Sequence, residues 1–146
     1  VMRVICAFDG INTPMGRTDI NDTSAVIMLT HKNIKILFAA DLNRAIGNYL
    51  TTNCPPGVLH ADILKFPHHG TESFPNDGFF AAVNAKTVIV PAPKELWLCE
   101  RSARARQLTK DCRVYVNGIE GDITVVSDGS TFRIHSQQSR RTHLLR

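Results

Sequence analysis

Apolar runs and polar punctuation alternate along most of the chain. "SAVIMLT" (24–30) and "IKILFAAD" (34–41) are apolar, β-rich runs separated only by "HKN", which predicts a hairpin. Leu42, Ala45, Ile46, Tyr49 and Leu50 then recur at the spacing of one helical face, so "LNRAIGNYL" reads as an amphipathic helix broken by "CPPG". "ADILKF" (61–66) predicts a strand, "NDGFFAAV" (76–83) a short capped helix, "KTVIVPA" (86–92) a buried strand and "CERSARARQL" (99–108) a basic helix. The stretch 113–135, "RVYVNGIEGDITVVSDGSTFRIH", reads as a strand, an Asn-Gly turn and a hairpin around "SDGS". Near the start, Val4–Phe8 predicts a short buried strand, and residues 9–23, rich in Gly, Pro, Asn and Asp, a long surface loop.

Strands alternating with helices, flanked by hairpins, predict a layered sheet-and-helix domain of α/β (α+β) class. Most strand runs are apolar throughout rather than alternating, which predicts burial on both faces. The 146 residues suit one domain with a real core, and 43% hydrophobic and 21% charged residues exclude wholesale disorder. No apolar run approaches the roughly 18–20 residues of a membrane helix. The net charge of +4 is unevenly spread: Arg101, Arg104, Arg106, Lys110 and Arg113 cluster, and a polar, basic tail (136–146) is expected to fray. Such clusters attract phosphates, although a solvated helix face and a frayed terminus are the simpler account. Cys6, Cys54, Cys99 and Cys112 lack CxxC or CxH spacing, which excludes zinc-finger and redox motifs.

Three candidate groups each follow an apolar strand run directly: Asp41 after "IKILFAA", and His68 with His69 after "ADILKF". Ligands gather outside the carboxyl ends of strands in open α/β sheets, so these groups can share one crevice. Asp with His suits zinc, manganese or iron. Taken singly, each has a simpler reading. Asp41 precedes a helix and can serve as its N-cap, adjacent histidines in a turn are often exposed, and Trp97 serves either as core or as a pocket wall. The joint order strand–Asp–helix–strand–His-His-Gly–helix–strand is what favours a site.

"NDTSAVIML", "IKILFAAD" and above all "ADILKFPHHGTESF" resemble the metallo-β-lactamase fold superfamily, in particular the hydrolase domain of competence proteins of the ComEC type and their free-standing relatives. The resemblance covers roughly residues 20–135 and is closest at Ala61–Thr71. It implies the C-terminal half of an αββα sandwich, with residues 1–135 as the domain. It implies a two-metal site (Zn, or Mn or Fe) in which Asp41 is the bridging carboxylate and His68 or His69 supplies a ligand or handles a proton. Asn21, Trp97 and Arg101 would line the substrate side, and Asp62 and Lys65 would fix the strand. Ala40 stands where relatives carry glycine, a mild change. The superfamily's His-x-His-x-Asp-His motif is absent from the 146 residues. The expectation is therefore part of a metal-dependent hydrolase acting on a phosphodiester, nucleic acid or other ester. The alternative is a degenerate module of the same fold that binds nucleic acid or a protein. Either a dimer or a missing N-terminal half would cover the apolar sheet face, and a free-standing relative would be cytoplasmic.

Overall fold

The computed structural model describes residues 1–8 and 19–138. Six strands form one sheet in the spatial order β1 (Met2–Cys6), β2 (Val26–His31), β3 (Ile34–Phe38), β4 (Ile63–Lys65), β5 (Thr87–Val90) and β6 (Arg113–Val116). β1, β2 and β3 pair antiparallel, whereas β3 to β6 run parallel. Parallel neighbours need crossovers rather than tight turns. Here these carry α1 (Arg44–Asn53), α2 (Asp77–Val83), and α3 (Lys94–Leu98) with α4 (Ala103–Leu108). After β6 come a one-turn helix, α5 (Asn117–Glu120), and a separate hairpin, β7 (Ile123–Ser127) and β8 (Phe132–Ser136). The result is a mixed α/β domain. Among the described residues, no helix is long and apolar enough to cross a membrane.

Strand register explains the core. Met28, Leu37, Leu64 and Val88 lie side by side across β2 to β5, so their side chains share one face. Leu42, Ile46 and Leu50 of the first crossover and Phe79 and Val83 of α2 join them in one buried cluster. Each such side chain contributes about 1.5–3 kcal/mol when fully buried. The opposite face carries Leu29, Ile36 and Ile63 in register. There the β7–β8 hairpin reaches over: Val125 and Ser127 share a cavity of about 290 Å³ with Leu29, Ile34 and Ile36. The Asn33 N–H donates to the Gly129 carbonyl at 3.0 Å and ties the hairpin tip to the β2–β3 turn.

The "HKN" hairpin, the two helices flanking "CPPG…ADILKF" and the "SDGS" hairpin lie where the pattern predicts them. Three expectations change and a fourth is refined. The first strand occupies Met2–Cys6 rather than Val4–Phe8, and it is an edge strand: Met2 is 67% and Val4 57% exposed. Among the described residues it pairs with β2 alone. The basic segment is two short pieces, a 3-10 turn (Glu100–Ser102) and α4, rather than one helix; Cys99 is extended, and the Ser102 hydroxyl donates to the Leu96 carbonyl at 2.9 Å beyond the end of α3. The turn expected at Asn117-Gly118 is the one-turn helix α5, and Gly118 packs there against the backbone of Ala92–Lys94, where any Cβ would collide. Finally, Ser136 is buried in β8 with its hydroxyl 2.6 Å from Glu120 Oε2, so order extends into the expected tail. Residues 9–18 of the expected loop and 139–146 of the tail lie outside the described residues.

Candidate functional site

Asp41 and the paired histidines both follow the carboxyl ends of neighbouring parallel strands, β3 and β4. The chain leaves β3 through a turn closed by Leu42 N–H to the Ala39 carbonyl at 3.0 Å, with Ala40 at φ 44°. That is the left-handed region, which costs a residue bearing a Cβ about 1–2 kcal/mol. The glycine expected at this position is thereby explained, and alanine here is a strained choice rather than a mild one. The turn also delays the start of α1. Its N-cap is Asn43, whose Oδ1 accepts the Ile46 N–H at 3.0 Å. The Asp41 carboxylate is thus released from capping and lies 43% exposed at the sheet edge.

The histidine turn is more constrained still. Pro67–Gly70 form a tight 3-10 turn in which His68 (φ 49°) and His69 (φ 55°) are both left-handed. Two buried rings clasp it: Phe66 on one side and Phe74 on the other meet edge to face at 5.2 Å. Gly70, at φ 73°, lies against the Trp97 ring, where an added Cβ would come within 3.2 Å. Left-handed residues outside glycine persist only where their surroundings over-determine them, and they concentrate at functional sites.

The same surroundings assign the ring protons. His69 Nδ1 lies 2.7 Å from the Pro91 carbonyl, which only accepts, so Nδ1 carries a hydrogen and, in the neutral ring, Nε2 holds the lone pair. Thr71 spends its hydroxyl hydrogen on the His68 carbonyl at 3.0 Å, so its oxygen accepts from His68 Nδ1 at 3.0 Å. His68 Nε2 then accepts from the Asn21 amide at 3.4 Å. His69 Nε2 faces Asp41 Oδ1 at 3.5 Å. A lone pair and a carboxylate attract each other only with a proton or a metal ion between them.

Each expected residue has a distinct place. Asp41 and His69 come together. His68 turns away toward Asn21, which is brought in by a 3-10 turn (Ile20–Thr23) closed by a capping box between Asp19 and Asp22. The buried Asp22 accepts from the Asn43 amide at 2.6 Å and locks that turn to the start of α1. Trp97 is only 7% exposed and supports the histidine turn from beneath, so it lines no open wall. Arg101 stands at the rim, its guanidinium paired with both Glu72 oxygens at 2.8–3.0 Å, which holds the Glu72 carboxyl below the usual glutamate range. Asp62 fixes strands, accepting the Lys35 N–H at 2.8 Å. Lys65 does more: Nζ donates to the Ala40 carbonyl at 2.6 Å and lies 3.8 Å from Asp41 Oδ1. Thr71 and the Pro91 carbonyl, which set the two tautomers, carry no sequence signal of that role.

As a metal site the arrangement is partial. A second ring nitrogen bonded to a carbonyl is how metal-binding histidines are held, and His69 with Asp41 fits that description. Catalytic zinc takes three protein ligands, however. Among the described residues, no three His, Cys, Asp or Glu side chains form a metal-holding group. The chain matches no family model, and no curated protein is significantly similar to it.

Proposed function

We propose that the chain carries one edge of a metal-dependent hydrolase site, with Asp41 and His69 as two of its ligands. The reading rests on one observation: His69 Nε2, oriented by the bond from Nδ1 to the Pro91 carbonyl, faces the Asp41 carboxylate from 3.5 Å. A divalent metal there supplies an activated water and charge stabilisation for a leaving oxygen. The chain's own residues supply the rest. Asp41 brings negative charge, and the left-handed turns hold both donors at one edge. His68 Nε2 accepts from the Asn21 amide, which orients that ring beside the site. The resemblance of "ADILKFPHHGT" to metallo-β-lactamase relatives supports the same chemistry and points to a phosphodiester or another ester as substrate. The remaining ligands would come from a further polypeptide segment.

A second reading is favoured by the donor count: with only two donors converging among the described residues, the domain serves as a non-catalytic module of the same fold. Cobalt(II) titration of the purified chain, followed by ligand-field absorption, tests the site. Wild type is expected to bind, and Asp41→Asn and His69→Ala each to weaken binding at least about tenfold, as expected for lost ligand-shell groups. Equal binding by all three overturns the assignment. Turnover of bis(p-nitrophenyl) phosphate by the metal-loaded chain would overturn the second reading.

A further inference from the structure

Lys65 is out of place for a strand residue. It lies on β4 in register with Phe38 on one side and Ile89 on the other, so its stem crosses an apolar sheet face. Its side chain is only 23% exposed. A methionine of similar length would cover the same surface without desolvating a charge. Packing therefore does not account for the ammonium.

Its partners do. The Ala40 carbonyl accepts from Lys65 Nζ at 2.6 Å and from the His68 N–H at 3.2 Å. One oxygen thus joins the Asp41 turn to the histidine turn, and the residue that carries it sits at φ 44°. Lys65 supplies the charged donor on that oxygen, and with the His68 N–H it holds the strained Ala40 carbonyl in place. We propose that Lys65 is a positioning residue: by holding the Ala40 carbonyl and pairing with Asp41, its ammonium sets where the Asp41 carboxylate meets His69. This inference rests on the reading of Asp41 and His69 as metal ligands. Asp62, three residues earlier, does the strand-fixing that both residues were expected to share.

The test uses the whole chain as wild type, Lys65→Met, Lys65→Gln and Lys65→Arg. Lys65→Met keeps the packing stem, so its thermal midpoint should stay near wild type. Its His68 amide should exchange at least about tenfold faster by NMR, while the Ile36 amide in β3 is unchanged. Its cobalt(II) affinity should fall about tenfold, the scale of a lost supporting group, and Lys65→Arg should recover most of that loss. A purely structural role would not show recovery by charge. Wild-type exchange and affinity in Lys65→Met would overturn the proposal. If Lys65→Met does not fold, Lys65→Gln decides, since wild-type behaviour in that uncharged variant overturns the role of the ammonium. If wild type itself binds no cobalt(II), the metal reading falls, and the His68 amide still decides for or against Lys65.

Discussion

The histidine turn (65–74) and the basic segment (99–108) both look chemical in the sequence, yet they end in opposite conditions. In the histidine turn the backbone is strained and the polar atoms facing inward are spent on carbonyls and Thr71. What faces outward, Nε2 of each ring, is left to meet Asn21 or Asp41. In the basic segment the three arginines are already paired within the chain. Arg101 pairs with Glu72, Arg104 pairs with Asp77 at 2.5 Å and lies 5.0 Å above the Phe74 ring, and Arg106 bonds the Trp97 and Cys99 carbonyls. Glu72 and Phe74 belong to the histidine turn. The arginines therefore hold down the far end of that turn, and a charged cluster is better judged by what its charges already touch than by its net sign.

The comparison breaks first at its aromatic clasp. Phe66→Ala removes a fully buried ring facing Phe74 and stacked on Phe80 at 5.1 Å, and should destabilise the domain by about 3–5 kcal/mol in urea unfolding. A loss below about 1 kcal/mol would mean the clasp is loose. Strain is the next point of attack. Ala40→Gly relieves about 1–2 kcal/mol of left-handed cost and returns about 0.5–1 kcal/mol in chain freedom. A net gain of about 0–1.5 kcal/mol follows, and a destabilised variant would contradict strain at Ala40. The smallest effect belongs to the rim. Arg101→Ala should leave the urea midpoint at neutral pH essentially unchanged, because both partners are exposed. Since Arg101 holds the Glu72 carboxyl low, whatever the pair contributes is present above the usual glutamate range and fades as pH falls through the lowered value. A midpoint difference between wild type and variant that grows on acidification would overturn that sign.

Much of the fold was legible because its signals are local. Alternation, the helical spacing of Leu42 to Leu50 and the "CPPG" break concern residues adjacent in the chain. The errors arose where a partner outside the segment decides. Val4 is apolar but sits on an edge strand. Asp41 and Asn43 are both good caps by type, and only the left-handed Ala40 moves the helix start to Asn43.

The amino-acid order by itself determined the strand–Asp–helix–strand–His-His-Gly sequence of elements, since hydrophobic period and turn chemistry are written into neighbouring residues. It could not determine that His69 meets Asp41 while His68 meets Asn21. That depends on a parallel crossover aligning the ends of β3 and β4, and on two consecutive left-handed residues swinging adjacent rings to different partners. Nor could it determine where the ring protons sit. Those are set by the Pro91 carbonyl and the Thr71 hydroxyl, acceptors that the tertiary fold alone brings within hydrogen-bond distance.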